Sequence, residues 1–587
     1  MNKTGLCAIA LSALVPLLAQ TQTTYSGVSI TGSLVLIRSI NARQTAQSSL
    51  LPQSSLFAAT LNTAESPKAI KRLTPRLSSP SLFAATLAPA PIAVQTVNVV
   101  PGPVSTGFNG LSHLDQRLAN GGNQFSVEPP NASIAVGNGY VLEGVNNAIQ
   151  VYSSSGATLL AKVISTNELF GVSPAINRAT GVNGVFPTDM RVFYDAIINR
   201  WIVLQRAQDF DIAGNGLSSS RIFLAMSQTG DPTGTYNIYT METTNANNPG
   251  CPCVADYPQI GADQYGFYIS VNEFTTTTQA YVDSVIYAIS KRGLAAGELT
   301  PTSSKFTLPF VSGYEFSIQP ATTPPGASNF VASGGLEFFA STVASFASGT
   351  NVAVWAMSNT SSLSTTRADM MLARIIVPTL FYSIPDAATQ PEGYRPYGAG
   401  LTPQGALPLI DGGDTRAQSL FYSAGRLHLT FATKVSQTKG NRVGAAYVIL
   451  SPTARGGVIS AQVIKQSIFA VSNNNLLRPS IGVDANGRGA IAATVVGPDW
   501  YPSAAFIPID PVTASTMVRI PAAGAFPEDG FTGYSPGSGG QTIARWGDYS
   551  STAVANDGSV WMVAQYIGTS PRTAFANWGT FIMSTKL

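Results

Sequence analysis

Short apolar segments alternate with polar turns along most of the chain, from about residue 107 to the C-terminus. A typical unit opens on a polar residue, often Asp with Arg or Pro close by. It continues with an apolar strand, a turn containing Gly or Asn-Gly, and a second apolar or aromatic strand. Residues 189–204 and 256–272 are two examples. This pattern predicts β-hairpins with tight turns, and nothing after residue 107 shows sustained helical periodicity.

The hairpin unit recurs seven times. Its starts lie near residues 131, 189, 256, 329, 414, 478 and 545, at intervals of roughly 58 to 85 residues. A further strand pair follows each hairpin, as at residues 220–226 and 283–289. Four strands per repeat predict an all-β fold, a β-propeller of about seven four-stranded blades, because one blade buries both faces only when its neighbours stack on it. An array of two-sheet sandwiches is the competing architecture.

The N-terminal region differs from this domain. Lys3 precedes an apolar run at residues 6–19, which is shorter than a membrane span and typical of a secretory signal. We therefore predict a signal peptide at 1–19 and a secreted protein, with an uncleaved anchor as the alternative. Residues 20–106 are rich in Ala, Ser, Thr, Pro and Gln, and a near-duplicate segment occurs at 55–61 and 81–87. This composition predicts a flexible stalk before a propeller domain at 107–587.

Composition narrows the classes of function. Charged residues make up 11% of the chain and the net charge is +3, so no strong field attracts nucleic acid. No second segment has the length of a membrane span, and we expect a monomer. Cys251 and Cys253 are the only cysteines outside the predicted signal. They flank Pro252 and are a candidate disulfide, with two free thiols or a metal site as the alternatives.

The common hydrolase motifs are missing from the sequence. It contains two histidines, His113 and His428, and no Gly-x-Ser-x-Gly elbow, His-Glu-x-x-His zinc motif or phosphate-binding glycine loop. His428 lies in a Leu-His-Leu strand, where we expect a packing role. We expect no cofactor. Calcium stays open as a ligand of carboxylate turns such as the one at Asp484, although nothing in the spacing is specific for it.

The most informative chemistry is a set of Asp and Arg residues at the blade starts. In a propeller, equivalent positions of the innermost strands surround one axis, so residues distant in sequence converge on one rim of the central channel. Three roles are open for this rim: ion pairs that fasten neighbouring blades, a site in which Arg binds a carboxylate, and paired carboxylates that cleave a glycosidic bond. The candidate residues are Asp189, Arg191, Asp256, Asp414, Arg416, Arg478, Arg545 and Asp548.

Four segments together resemble a widespread, largely uncharacterised family of secreted bacterial β-propellers. They are residues 129–137, 189–201, 256–272 and 545–551, so the resemblance extends over nearly all of 107–587. It implies the fold and export but no particular activity. Asn131 stands where this family pattern leads us to expect Asp, which weakens a cation site there. The chain also resembles sialidase-type propellers, in architecture only, since it has no convincing Asp-box turn.

These observations favour a secreted or surface-tethered binding module over an enzyme. Its expected partner is an extracellular carbohydrate or protein, bound through one face of the propeller. The alternative is an enzyme that cleaves polysaccharide or glycoconjugate with the Asp/Arg rim. Geometry separates the two: carboxylates free of Arg partners in an open pocket favour cleavage, whereas Arg-paired carboxylates argue against it.

Overall fold

Strands dominate the fold because the apolar segments are short and are separated by turns in which Gly or Asn adopts positive φ. The computed structural model describes residues 20–47, 94–101, 106–125, 127, 129–210, 216–327, 334–343, 348–392, 407–512, 515, 517–528, 543–569 and 577–587. The predicted signal peptide at 1–19 lies outside these residues.

Seven antiparallel sheets, which we call blades 1 to 7, follow one another along the described chain. In each blade the first strand named is the innermost. Blade 1 comprises Ser133–Gly137, Tyr140–Val145, Ala148–Ser153 and Ile164–Ser165; blade 2, Val185–Asp195, Arg200–Phe210, Gly216–Ser227 and Thr235–Glu242; blade 3, Cys253–Ala262, Gly266–Thr275, Tyr281–Ser290 and Ser303–Pro309; blade 4, Gln319–Pro320, Leu336–Thr342, Gly349–Ser358 and Met371–Tyr382; blade 5, Ser419–Ser423, Arg426–Gln437, Gly440–Arg455 and Val458–Val471; blade 6, Asn475–Val483, Gly489–Gly497, Trp500–Ile509 and Met517–Ala522; blade 7, Ser551–Val554, Val560–Tyr566, Gly579–Thr585 and the earlier strand Thr106–Ser112.

The innermost strands form a closed ring. Each contacts the innermost strand of the next blade, and that of blade 7 returns to contact Ser133–Gly137 of blade 1. The fold is therefore a seven-bladed β-propeller, and the sandwich alternative is wrong because sandwiches would leave this ring open. Blade 7 takes its outermost strand from the start of the domain, since Thr106–Ser112 pairs antiparallel with Gly579–Thr585. This shared sheet joins the two ends of the ring.

Most inner strands are buried along their whole length, because neighbouring blades cover both faces of each sheet. Gly489–Gly497 of blade 6, for example, has no exposed residue. Such strands show continuous apolar runs where a half-exposed strand would show strict alternation. Large aromatic side chains fill the wedges between blades, among them the fully buried Trp201 and Trp355.

The predicted flexible stalk is wrong for the described parts of residues 20–106. Thr23–Ser26 pairs with blade 4, Val28–Ser29 with blade 3 and Leu34–Asn41 with blade 2, each as an added outermost strand. The segment thus runs round the outside of the propeller against the order of the blades. Edge strands of these blades offer unpaired backbone groups, which gives even a polar segment a place to bind. Residues 48–93, with the near-duplicate copies, lie outside the described residues.

A strand from the second described segment of this region joins blades 5 and 6. The first half of Val94–Pro101 pairs parallel with the outermost strand of blade 5, and the second half pairs parallel with that of blade 6. The two blades thereby form one nine-stranded sheet. The propeller accordingly uses both described segments that precede residue 106.

Short elements complete the described structure. Two small strand pairs join Ile176–Asn177 to Val182–Asn183 and Leu409–Ile410 to Ile543–Ala544. The α-helices are Ala42–Gln47, His113–Leu118, Thr166–Phe170 and Lys291–Ala296, and the 3-10 helices are Ala119–Gly122 and Thr360–Ser364. Within the described residues, no helix has the length and apolarity needed to cross a membrane.

Blade 4 begins earlier than the sequence pattern indicates. The apolar stretch after residue 329 supplies the second strand, Leu336–Thr342, whereas the innermost strand is the two-residue Gln319–Pro320. That innermost strand is too short to produce a visible hydrophobic run.

Glu143 connects the two sides of the ring closure. It lies in blade 1 and is fully buried. Its carboxyl group accepts the N–H of Leu111 at 2.8 Å and the hydroxyl of Tyr152 at 3.0 Å. Thr580 Oγ1 of blade 7 lies 2.5 Å from the same carboxyl and 2.8 Å from the Leu111 carbonyl oxygen. A hydroxyl has one hydrogen, so if Thr580 donates to Leu111, the carboxyl must donate to Thr580 and is protonated.

Burial raises the pKa of Glu143 from 4.5 to about 7, while hydrogen bonds from Thr580, Leu111 and Tyr152 act in the opposite direction. The folded chain therefore holds a proton that the unfolded chain releases between these two values. The free energy of unfolding must decrease as pH rises through this window and become level above it.

We expect Glu143→Gln to remove this dependence, because Gln keeps the shape and the hydrogen bonds without a charge. The wild type should lose about 3 kcal/mol of unfolding free energy relative to the variant between about pH 4.5 and pH 7. Denaturant titrations across this range measure the difference. The exposed Glu298→Gln is the control and should keep the wild-type slope; an unchanged slope in Glu143→Gln would show that closure does not involve a proton.

Candidate functional site

The innermost strands of five blades contain a residue in the left-handed backbone region or begin two positions after one. These residues are Asn131, Asp189, Tyr257, Ser317 and Arg478, with φ between 50° and 54°. Non-glycine residues seldom adopt this conformation, which costs free energy and often marks functional positions. In blades 2, 3 and 6 the strand register also shifts at this point, as in a β-bulge. Bulges change the direction in which the following side chains point.

The residue two positions further along lines the channel in all five blades. These residues are Ser133, Arg191, Gln259, Gln319 and Ser480. Blades 5 and 7 have no left-handed residue here and contribute Gln418, Ser419, Ser550 and Ser551 to the same wall. The cavity has a volume of about 780 Å³, which includes space open to solvent. Long polar side chains line it in blades 2 to 5, and serines line it in the other three blades.

Arg206 joins two of the predicted carboxylates. Its Nε lies 2.8 Å from Oδ2 of Asp189 in the same blade and 3.3 Å from Oδ1 of Asp256 in blade 3. Asp189 also accepts the amide of Asn131 at 2.8 Å, and the same amide lies 3.0 Å from Asp548. One connected polar network therefore extends from blade 7 through blades 1 and 2 to blade 3.

Electrostatics make Asp256 the unusual acid of this network. Burial raises the pKa of Asp256 above its ordinary value; Arg206 lowers it, and the negative charges of Asp189 and Asp548 raise it again. The negative charges of Asp189 and Asp256 raise the pKa of Arg206 against the effect of its own burial. Asp256 thus binds a proton more readily than an exposed Asp.

Aromatic rings hold two arginines in the same region. The guanidinium carbon of Arg191 lies 3.4 Å from the ring centroid of Tyr549, and that of Arg416 lies 4.5 Å from that of Tyr257. The two tyrosine rings meet edge to face at 5.4 Å. Burial raises the pKa of Tyr257 to about 12, and nearby Arg416 and Arg191 oppose this shift. Its hydroxyl has no hydrogen-bond partner among the described residues.

The other predicted arginines carry carboxylate partners. Asp414 binds Arg416 with both oxygens, at 2.7 to 3.0 Å. Arg545 lies 3.1 Å from Asp548. Arg478 contacts Asp411 at 3.4 Å and also donates to the carbonyl oxygens of Trp546 and Gly547 across the boundary with blade 7.

All eight candidate residues lie in the innermost strands or in the segments that lead into them. Six of them form ion pairs. Asp189 and Asp256 each pair with Arg206, Arg416 pairs with Asp414, and Arg545 pairs with Asp548. Arg478 pairs with Asp411, a residue outside the predicted set. The sequence analysis missed Arg206, Tyr257 and Tyr549. Arg206 lies inside a second strand, where no repeat pattern marks it, but both tyrosines directly follow a predicted residue.

Arg191 is the exception among these cations. Its described partners are the carbonyl oxygen of Pro258 at 3.1 Å, the amide oxygen of Gln259 at 2.6 Å and the Tyr549 ring. None of them is a carboxylate. In the described part of the chain, no carboxylate oxygen lies within 4.0 Å of its guanidinium nitrogens. Arg191 therefore lines the channel wall without a direct carboxylate partner among the described residues.

Two further sequence expectations concern single positions. The carboxylate of Asp484 accepts the backbone N–H groups of Asn486 and Arg488, each at 2.9 Å. These bonds account for the turn that the sequence left open to calcium. His428 is buried in its strand and lies 2.7 Å from the Tyr447 hydroxyl, which fits a packing role.

No protein-family model and no curated protein sequence matches this chain. Several solved structures are similar to it at low identity. A Trypanosoma rangeli sialidase in complex with sialic acid is 9% identical with a TM-score of 0.34, covering 76% of this chain and 59% of the sialidase. A Penicillium chrysogenum α-L-arabinanase complexed with arabinobiose is 10% identical with a TM-score of 0.32, covering 78% and 94%. The phage phi92 endosialidase is 9% identical with a TM-score of 0.32, covering 78% and 67%.

This chain thus spans less than two thirds of the sialidase. The resemblance to sialidase-type propellers in architecture, expected from the sequence, is found among these structures. At such low TM-scores it says nothing about the channel residues. The propeller itself follows from the strand pairing and the closed ring.

Arg206→Met should destabilise the fold strongly, because it leaves Asp189 and Asp256 buried without a cation. We expect a loss of about 3–5 kcal/mol in the free energy of unfolding, measured by denaturant titration. Arg221→Met is the matched control: Arg221 pairs with Asp209 at side-chain exposures of 30% and 23%, and its loss should cost about 1 kcal/mol or less. Equal effects of the two substitutions would contradict the fastening role of Arg206.

Proposed function

We propose that this protein is an extracellular binding propeller that captures a carbohydrate bearing a carboxylate in its central channel. The observation that carries the proposal is Arg191. It is a channel-lining guanidinium with uncharged partners, whereas the other cations of the network have carboxylates. A buried charge without a counter-ion is costly, and an anionic ligand would supply the missing partner.

The chemistry around Arg191 suits a carboxylate with polar groups attached. Guanidinium binds carboxylate through two parallel hydrogen bonds, and the Tyr549 ring fixes the plane in which those bonds point. Three amide atoms in the same wall have no described partner: Gln259 Nε2, Gln319 Oε1 and Gln418 Oε1. Together they offer both donors and acceptors to the hydroxyl groups of a sugar ring.

Export is part of the proposal and follows from the predicted signal peptide at 1–19. Carbohydrates outside the cell commonly contain uronic or sialic acids, which carry the required carboxylate. A peptide C-terminus carries the same group, and we treat its binding as an alternative outcome of the experiment below.

The binding experiment uses the full secreted chain and a panel of oligosaccharides containing uronic or sialic acid, each with its neutral counterpart. We expect acidic sugars to bind and Arg191→Met to weaken binding at least tenfold in calorimetric titrations, because the guanidinium that lines the described channel wall is removed. Arg488→Met, at a half-exposed arginine, is the control and should bind as the wild type. Equal binding of neutral sugars, preference for peptides with a free C-terminus, or unchanged affinity of Arg191→Met would each contradict the proposal.

Cleavage of a glycosidic bond is the second candidate, favoured by one observation. Asp256, with its raised pKa, is suited to act as an acid, and Asp189 shares Arg206 with it as a potential second carboxylate. The arginine pairing of both carboxylates argues against this function.

An assay for new reducing ends on the same sugars distinguishes the two candidates. A binding module should release none. If products appear and Asp256→Asn abolishes them while binding is retained, the protein is a hydrolase and the binding-only proposal is wrong.

A further inference from the structure

A second chemical group lies where the chain enters blade 3. Cys251 and Cys253 are bonded to each other with an S–S distance of 2.07 Å. Cys253 is the first residue of the innermost strand and is fully buried, whereas Cys251 lies in the preceding loop and is partly exposed. Cys251 is therefore the more exposed residue of the pair, and we expect attack at its sulfur.

This disulfide contributes little to the stability of the fold through chain entropy. A cross-link stabilises a fold chiefly by restricting the unfolded chain, and the effect grows with the length of the closed loop. This loop contains one residue between the two cysteines. Blade 3 is held in any case by pairing of its inner strand along Gly266–Thr275. A separate explanation is needed for two bonded sulfurs at this place.

A buried acid lies against the sulfurs. Oε2 of Glu273 is 3.6 Å from Sγ of Cys251, and one ligand atom from each of Cys251, Cys253 and Glu273 fits within 4.8 Å. Glu273 is fully buried in the second strand of blade 3. Asn245 and Asn248 donate to its two carboxyl oxygens and so fix its orientation.

The surroundings favour the protonated form of this acid, which also hydrogen-bonds Asp283. Burial raises the pKa of Glu273, and the adjacent Asp283 raises it further; Asn245 and Lys305 act in the opposite direction. Lys305 itself binds the side-chain oxygens of Asn245 and Asn248 at 3.1 and 3.2 Å. The titratable and charged groups of this environment are Glu242, Glu273, Asp283, Tyr287 and Lys305.

We propose that Cys251 and Cys253 form a redox-active disulfide that exchanges with external thiols, with Glu273 as its proton donor. A thiolate attacks Sγ of Cys251 and forms a mixed disulfide, while the bond to Cys253 breaks and its electron pair stays on Cys253. The carboxyl of Glu273, which lies within 4.8 Å of this sulfur, turns from Asp283 and transfers its proton to it, and solvent reprotonates Glu273. Protonating the leaving sulfur accelerates exchange in the way of a general acid.

A second thiolate completes the cycle. It attacks the sulfur of the first thiol, leaves with it as a disulfide and releases Cys251 as a thiolate, which takes a proton from solvent. Two external thiols are thus oxidised to one disulfide, and the protein disulfide is reduced to two thiols. The reverse sequence oxidises a dithiol at the expense of an external disulfide. This activity is independent of the proposed binding in the channel.

The order of attack is tested with single-cysteine variants of the full chain. Folded Cys253→Ser should form a mixed disulfide with oxidised glutathione at Cys251, located by peptide mass spectrometry. Folded Cys251→Ser should react at least tenfold more slowly, because Cys253 is buried. Equal labelling of both variants would overturn the assignment of Cys251 as the attacked sulfur.

The role of Glu273 is tested by the rate at which reduced glutathione opens the disulfide of the folded protein. Glu273→Gln should slow this step about tenfold or more. Glu337→Gln is the matched control, since Glu337 is a buried carboxyl of blade 4 whose pKa burial also raises; it should leave the rate unchanged. Unfolding of the wild type is followed in parallel by circular dichroism. The proposal would be overturned if the disulfide is reduced only as fast as the wild type unfolds. It would also be overturned if wild type and Glu273→Gln are reduced at equal rates.

A readout on the wild type keeps the test decisive if Glu273→Gln does not fold. The rate per glutathione thiolate should fall as pH rises above neutrality and Glu273 loses its proton. A rate per thiolate that does not change with pH would contradict proton donation by this acid.

Discussion

The pairing of Thr106–Ser112 with Gly579–Thr585 determines whether the ring of blades is closed. Without it, blade 7 would end in an unpaired edge, and blades 1 and 7 would each lose the support of the other. The channel residues depend on this closure directly. Asn131 of blade 1 binds Asp189 of blade 2 on one side and Asp548 of blade 7 on the other, so this polar network crosses the junction. Glu143, whose pKa burial raises to about 7, lies at the same junction, which couples closure to pH.

Closure also makes the backbone strain of the inner strands tolerable. Five of them contain a left-handed non-glycine residue or begin two positions after one, a conformation that costs of order 1–3 kcal/mol each. A free strand would relax, but here neighbouring blades hold both faces of each sheet. In return, the strain directs Arg191 and Gln259 into the channel wall. Burial of the blades therefore supplies the free energy that the polar wall requires.

The repeats made the propeller and the convergence of Asp and Arg predictable, because equivalent strand starts must meet around one axis. Arg206 could not be found in this way: it lies within a second strand and reaches the site by the length of its side chain. The segment at 20–47 includes the apolar run Leu34–Ile37, but it lies outside the repeats, and the sequence alone does not show that blade edges give it a partner. Blade 4 was misplaced because its inner strand of two residues leaves no periodic signal.

The sequence presented fastening and ligand binding as competing roles for one set of residues, and in the structure most of that set form ion pairs. Arg206 bridges carboxylates of blades 2 and 3, and Arg478 reaches from blade 6 to Asp411 and to carbonyl oxygens beside blade 7. In these contacts, carboxylates neutralise the charges of Arg206 and Arg478. Arg191 instead has neutral partners in a wall of amides. An arginine that served only to fasten blades would be expected to have a carboxylate partner, and none of the described contacts of Arg191 is with a carboxylate.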